Sequence, residues 1–397
     1  MSTTTTTNKK TATQAAAFGE QGKGQNALIF GANGISGIAA ITKLLEKPES
    51  EWAKVIAVSR RPPQLDFKDS RLVFVSIDLL NAPIPEIAKR LLDNGASEVH
   101  HAFFYAYIAK ATDEETTEVN TTLLKRSLQA VENACPDLQS FTLQTGMKYY
   151  GCHIGPGQMP PMPFKEDEAR AVKNSMFYYP QEDMVREHCE KNKWRWIITR
   201  PNIIIGVSKG NFMNFAVSAG LYAALQKQLG RQLEYPGNDK SYYGICDFST
   251  ATNNADFQIW AATHPNAGNN AYNITDNTKL TMRDVWTGIA KYFSLTVPED
   301  KIAKAEEGEK PKLSFSLEEY MKANSDQWHQ IASKQGLDDK AFEFATFDFL
   351  DGTVGATWPT EGTMEKAESK GWTIKTDTIQ SVWETFDKMK LLHIIPS

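Results

Sequence analysis

A doubly wound parallel α/β sheet is the fold class this chain predicts, and three observations predict it. Short apolar, β-branched runs alternate with helix-length segments through the first half of the sequence. The first of those runs opens into three glycines at three-residue spacing, Gly31, Gly34 and Gly37, with a helix-compatible stretch directly behind. The 397 residues suffice for one large or two coupled domains around a sizeable core.

The runs at 27–30, 55–58, 72–77, 99–107, 140–144 and 196–199 read as strands. Helical patterns at 38–45, 118–134 and 179–191 fall between them, as parallel βαβ units require. The pattern then changes. Residues 211–230 read as a helix, 271–275 as a late strand returning to the sheet, and 282–293 as an amphipathic helix. The charged stretch 298–310 reads as a solvated loop or short helix, and the aromatic sequence from 314 onward as a helical cap. The expected division is a disordered tail over 1–25, a nucleotide-binding domain over 26–205 and a mainly helical substrate-binding cap over 206–397. The tail is Thr-, Lys- and Ala-rich and has no apolar core of the kind a signal peptide carries.

Composition excludes several functions. The formal net charge is −5, which leaves no basic footprint for nucleic acid. No apolar run approaches the roughly 18–20 residues that span a bilayer. The four cysteines are far apart, without metal spacing, and read as free thiols of a reducing compartment. None of the seven histidines forms a metal pair, so no metal is expected. A cytoplasmic enzyme acting on a small molecule is the expectation, with a homodimer one option and the oligomeric state open.

The glycine turn matters because of what a strand, a tight turn and a helix start make together. The backbone can approach a pyrophosphate there, and the helix offers free N–H groups and the positive end of its dipole. A glycine triplet alone serves structural turns equally well, so the following strands decide. The second strand ends Ser59-Arg60-Arg61-Pro62, with no carboxylate to take a ribose 2′-OH. Arginine forks onto phosphate, which favours NADPH over NADH. The third strand ends Asp78-Leu79, where a carboxylate meets an adenine amine or caps a turn.

A nicotinamide enzyme acting on a carbonyl must stabilise negative charge developing on oxygen. The usual tyrosine with a lysine four residues later is absent: Tyr178 and Tyr179 are followed by Glu182 and Asp183. A lysine from the end of the fifth strand is the other source open: Lys148, in Gln144-Thr145-Gly146-Met147-Lys148-Tyr149-Tyr150, stands where a side chain points into the ligand crevice.

This combination resembles the progesterone 5β-reductase/iridoid synthase-like branch of the extended and atypical short-chain dehydrogenases. The likeness rests on the Gly31/Gly34/Gly37 loop, Arg60-Arg61-Pro62, the Leu-Gln-Thr-Gly-x-Lys-His-Tyr motif at 143–150 (Tyr149 replacing histidine) and the Asn-Phe-Tyr-Tyr-x-x-Glu-Asp motif at 176–183 (Met176 replacing asparagine). It continues in 200–206, 212–214, 258–262, 271–274 and 383–390, and so covers most of 26–391. The resemblance implies a Rossmann-type fold, NADPH/NADP+ as cofactor, and Lys148 and Tyr178 as the catalytic pair, with Tyr179 the off-by-one alternative. The expected cofactor contacts are Gly31, Asn33, Gly34, Ile35, Gly37, Ser59, Arg60, Arg61, Asp78, Leu79, Tyr105, Ala106, Gln144, Thr145, Gly146, Pro201 and Ile204. Tyr107, Tyr150 and Phe212 are the expected substrate contacts; for Tyr107, aromatic packing is an equal reading. The Pro- and Met-rich stretch 151–177 reads as a loop over the site, and Phe342, Phe344, Phe347 and Phe349 as mostly core, with one or two touching a hydrophobic substrate.

The expected activity is NADPH-dependent 1,4-reduction of an α,β-unsaturated carbonyl on a hydrophobic small molecule. Two alternatives stand beside it: a carbonyl 1,2-reductase or alcohol dehydrogenase, and a non-redox cyclase or NADP-binding sensor on the same fold.

Overall fold

The computed structural model describes residues 24–171, 176–209 and 211–397. The tail expected over 1–25 thus lies outside the described residues, apart from Gly24 and Gln25.

Seven parallel strands form the main sheet: β1 (Gln25–Phe30), β2 (Trp52–Ser59), β3 (Leu72–Ser76), β4 (His101–Phe104), β5 (Ser140–Gln144), β6 (Arg195–Pro201) and the late strand β9 (Asn270–Ile274). Their order is β3-β2-β1-β4-β5-β6-β9. The order reverses between β1 and β4, and ligands bind in the crevice beyond the strand ends at such a switch point. Central strands are apolar on both faces because helices cover both; Ala27, Leu28, Ile29 and Phe30 are all fully buried. Two further strands, β7 (Ile203–Ile205) and β8 (Phe248–Thr250), pair in parallel outside the main sheet.

Helices α2 (Ile84–Asp93), α3 (Asp113–Ala134) and α4 (Tyr178–Asn192) pack on one face, and α1 (Ile35–Leu45) and α7 (Ala251–Thr263) on the other. The remaining helices are α5 (Phe215–Gln228), α6 (Asp239–Tyr243), α8 (Met282–Phe293), α9 (Leu317–Ala323), α10 (Ser325–Gln335), α11 (Phe347–Val354), α12 (Glu365–Ser369) and α13 (Thr378–Leu391). Most of them share a second large apolar core, centred on Tyr222, Trp286, Leu350 and Phe386. No described helix is long and apolar enough to cross a membrane.

Capping chemistry sets several boundaries that periodicity misplaces. Helix α3 starts at Asp113 rather than 118, because the Thr112 hydroxyl accepts from the Glu115 N–H. Helix α5 starts at Phe215 rather than 211: Asn214 caps it, and Met213 has φ +61°, outside helical space. Strand β4 ends at Phe104, so Tyr105 and Tyr107 leave the sheet. Charged 298–310 holds a 3₁₀ turn at Glu299–Lys301.

Candidate active site

A cavity of about 690 Å³ runs along the carboxyl ends of the strands, from Asp78 and Arg60 at one end to Trp358 and Cys246 at the other. That is a volume in the range of small-molecule sites.

Its first part is the glycine turn. Gly31 has φ +79°, and a Cβ there would lie 2.6 Å from the Ala106 backbone nitrogen, so neither the turn nor the approach of the two strand ends tolerates a side chain. Gly34 is the N-cap of α1 and offers no side chain to satisfy the first helical amides; no acidic residue stands in the first turn. The Ile35 N–H instead donates to Asn211 Oδ1 at 3.2 Å. Gly37 does not line the cavity. It packs on the Gly31 carbonyl, letting the helix close down on the turn.

Arg60 and Arg61 are exposed along the cavity. Their backbone is fixed by two hydroxyls: Ser59 Oγ donates to the Arg61 carbonyl (2.6 Å) and Ser76 Oγ to the Arg60 carbonyl (3.1 Å). Asp78 lines the same end, yet its carboxylate already accepts from Asn81 Nδ2 (2.9 Å) and from the Leu80 and Asn81 N–H groups (3.0 and 3.2 Å). These bonds, that from the Asn81 side chain first, hold its pKa below the ordinary carboxylate value.

Further along, side chains from five segments interlock. Tyr105 Oη donates to Gln258 Oε1 (2.6 Å); Gln258 Nε2 donates to Gln144 Oε1 (3.1 Å) and Thr199 Oγ1 (2.8 Å); Gln144 Nε2 donates to Ser36 Oγ (2.9 Å). Tyr105, Gln144 and Ser36 all line the cavity, so this chain sets the wall between β4, β5 and α1.

Lys148 and Tyr178 both line the cavity. Lys148 sits on the 3₁₀ turn Met147–Tyr150 that follows β5, near enough for its charge to act on Cys152 and His153. Tyr178 opens α4. A Cβ on Gly146 would lie 3.2 Å from Tyr178 Oη and 3.3 Å from the Pro201 carbonyl, so glycine lets the tyrosine hydroxyl reach the base of the lysine turn. Burial, followed by the nearby Tyr107 and Cys152, pushes the Tyr178 pKa well above its ordinary value. The hydroxyl therefore stays protonated, a donor at neutral pH. Tyr179 does not line the cavity; its hydroxyl donates to the Tyr149 carbonyl (2.6 Å) and accepts from the Ala171 N–H (3.0 Å).

Glu182, four residues after Tyr178, faces away from this chemistry. It is fully buried and paired with Arg200, Nε–Oε1 3.0 Å and Nη2–Oε2 2.8 Å. Arg200 also lies 3.3 Å over the Tyr149 ring.

The remaining positions sort clearly. Asn33, Leu79, Ala106, Thr145, Pro201 and Ile204 line the cavity, as do Tyr107 and Phe212. The two aromatics are in contact, ring centroids 6.0 Å apart, and Tyr107 also stacks on Phe177 at 5.7 Å. Tyr150 does not reach the cavity. The 3₁₀ turn sends it into the core, where it stacks on Phe164, donates to Asn273 Oδ1 (2.7 Å) and accepts from Arg200 Nη1 (3.1 Å).

Of the loop 151–177, Cys152, His153 and Phe177 line the cavity; 172–175 lie outside the described residues. Cys246, Phe349, Thr353, Trp358 and Thr360 complete the far wall, and Asn211 lines the cavity beside the glycine turn; none was anticipated individually, Phe349 being one of the C-terminal phenylalanines expected to be mostly core with one or two touching the substrate. They come from segments with no motif, and Trp358 is locked by donation from Nε1 to the Cys152 carbonyl at 2.9 Å. No group of three or more metal-ligating side chains occurs among the described residues.

The site's residues fit a nicotinamide dinucleotide phosphate: a side-chain-free glycine turn at a helix N-terminus, two exposed arginines at the second strand end, and a cavity continuous from there to a protonated tyrosine. A family model, the PRISE-like Rossmann-fold domain, matches residues 27–396. Three relatives match nearly end to end. The short chain dehydrogenase gsfE of Penicillium aethiopicum is 32% identical, over 94% of this chain and 99% of that one. An (S)-8-oxocitronellyl enol synthase of Nepeta cataria and the 3-oxo-Δ(4,5)-steroid 5-beta-reductase of Arabidopsis thaliana are each 30% identical, over 93% of both chains. Reductases of this family use NADPH. The chain belongs to the PRISE-like Rossmann-fold family and is an oxidoreductase.

Proposed function

We propose that this protein is an NADPH-dependent reductase of α,β-unsaturated carbonyls on a hydrophobic small molecule, with Tyr178 and Lys148 as its catalytic pair. The observation that carries the reading is the Tyr178 hydroxyl set against Gly146 at the base of the Lys148 turn, in a cavity continuous with the glycine turn. The two relatives named for a 3-oxo-Δ(4,5)-steroid reductase and an 8-oxocitronellyl enol synthase support it, since both names describe conjugated carbonyl chemistry or its enol product.

NADPH, when bound, supplies a hydride. Hydride addition at the substrate β-carbon would put negative charge on the carbonyl oxygen as an enolate, and a proton taken up at the α-carbon from solvent would complete the saturated carbonyl. Tyr178 donates its hydrogen bond, or its proton, to that oxygen, and the Lys148 ammonium keeps the local field positive as charge develops. Arg60 and Arg61 take the cofactor's 2′-phosphate. Tyr107, Phe177, Phe212 and Trp358 give the substrate end an aromatic wall, consistent with a hydrophobic substrate. Burial pushes the Cys152 thiol up to about 12, so this cavity thiol stays protonated and does not compete as a nucleophile for a conjugated acceptor.

The test is NADPH oxidation across a panel of enones and enals, with product analysis. The saturated carbonyl is expected; an allylic alcohol points to 1,2-reduction, and absence of turnover across the panel defeats the reading. Tyr178→Phe and Lys148→Met should each lower kcat on the order of 100-fold, with the Kd for NADP+ changed by less than about threefold. Wild-type rates in both variants remove the assignment of the pair.

A further inference from the structure

The first turn of α1 holds one contact that the family reading does not require. Ile35 contributes the first helical amide behind the glycine turn, one of the donors a dinucleotide pyrophosphate takes up in such folds. Here that N–H donates to a side chain 176 residues away, Asn211 Oδ1, at 3.2 Å. The same oxygen is the nearest atom to a Cβ placed on Gly34, also at 3.2 Å. It therefore stands directly over the turn, in space a phosphate must enter. Asn211 Nδ2 donates to the Phe212 carbonyl at 2.5 Å, and the two bonds together fix which end of the amide faces the helix.

The neighbours make this contact transmissible. Phe212 is 42% exposed, lines the cavity and lies against the Tyr107 ring. Met213 follows with φ +61°, a conformation unfavourable for a residue with a side chain. Asn214 is anchored: it is fully buried, its N–H donates to Thr346 Oγ1 (2.8 Å) and its side chain caps α5. A rigid post at Asn214, a strained residue at 213 and a short arm carrying both Asn211 and Phe212 let one movement shift both side chains.

We propose that Asn211 is a placeholder for the cofactor pyrophosphate. Its neutral amide oxygen satisfies the Ile35 N–H and gives way to the cofactor. Its displacement carries Phe212 relative to Tyr107, so that cofactor loading resets the substrate end of the cavity. The direction of exchange follows from charge: a helix N-terminus binds a phosphate more strongly than a neutral amide. The inference rests on the reading of the glycine turn as the dinucleotide site.

Calorimetric titration of NADP+ into the wild type, Asn211→Ala and Asn211→Asp tests it. Removing a competitor should tighten binding: Asn211→Ala is expected to lower the Kd about threefold, the scale of one net hydrogen bond. Asn211→Asp places a full charge on the same amide and should raise the Kd more than tenfold. Adenosine 2′-monophosphate, which carries the 2′-phosphate but no pyrophosphate, should bind all three proteins equally and so reports that the variants fold. In the wild type, NADP+ should alter deuterium uptake over residues 211–214, and adenosine 2′-monophosphate should leave it unchanged. Equal or weaker NADP+ binding by Asn211→Ala, with the monophosphate unaffected, overturns the placeholder role. Failure of the wild type to bind either nucleotide overturns the dinucleotide reading, and the inference with it.

Discussion

The Tyr178 hydroxyl lies over Gly146, so close that even a methyl group on the glycine would come within 3.2 Å of it. Because Gly146 joins β5 to the Lys148 turn, this contact ties the tyrosine at the head of α4 to the end of β5. Gly146→Val should force the ring aside and lower kcat at least tenfold on any accepted substrate, while overpacking costs about 1–3 kcal/mol of stability. Steady-state kinetics beside a melting curve check it; an unchanged kcat shows that the contact does not set the tyrosine.

Cofactor choice should depend on two side chains. Arg60→Ala and Arg61→Ala are each expected to raise the KM for NADPH roughly tenfold and leave that for NADH nearly unchanged, since charge-assisted bonds to phosphate are worth about 1.5–3 kcal/mol. Parallel kinetics with both cofactors decide this. An equal loss for both means that the arginines do not read the 2′-phosphate.

The Glu182–Arg200 pair should matter for stability. Both groups are buried, and Arg200 additionally holds the Tyr150 hydroxyl and the Glu166 carbonyl. Removing Arg200 leaves the buried Glu182 carboxylate with Arg186 (Nη2–Oε2 2.8 Å) as its remaining cation, so Arg200→Met is expected to cost about 3 kcal/mol in denaturant unfolding, the low end for breaking a buried pair. Glu182→Gln with Arg200→Met should recover part of that loss. A single variant within 1 kcal/mol of wild type shows the pair to be dispensable.

Asp247 should give the fold a pH dependence. Burial pushes its pKa up to about 7, the Gly362 N–H at 2.5 Å opposing the shift, and Glu361 and Asp276 adding to it against Lys279. A carboxyl that holds its proton in the folded state and loses it near pH 4 when unfolded makes folding take up protons between those values. Its contribution to stability therefore falls as pH rises from about 4 to about 7 and levels off above. Asp247→Asn should flatten that part of the Tm–pH curve and raise Tm at pH 8 relative to wild type. A variant whose Tm follows the wild-type slope assigns the dependence to other groups.

The chemistry-bearing segments were legible because each is local. The glycine turn, the Arg60–Arg61 strand end, the lysine turn after β5 and the Tyr178–Tyr179 helix start are short stretches whose backbone demands show in the residues themselves. The pairing of Lys148 with Tyr178 came from the family resemblance, which links residues thirty positions apart that no periodicity connects. Misplaced boundaries, such as 211 for the start of α5, have a common cause. Apolar spacing reports which face is buried, whereas Asn214 and the left-handed Met213 determine where the helix begins.

The sequence by itself determined the sheet class, the glycine turn before α1, the charge at the second strand end and the places of the lysine turn and the Tyr178–Tyr179 helix start. Tertiary structure decided which copies of those residues face the cavity. Tyr150 turns into the core beside Arg200, Tyr179 is bound to backbone, and Gly37 packs under the turn, because the 3₁₀ turn and the α4 start present alternate side chains in opposite directions. It also decided the rest of the cavity lining: Asn211 over the glycine turn, and Cys246, Phe349 and Trp358 on the far wall, come from distant segments that carry no motif. A local pattern can encode a turn or a helix end, but a cavity wall is a sum of long-range packing choices, and those exist only once the chain has folded.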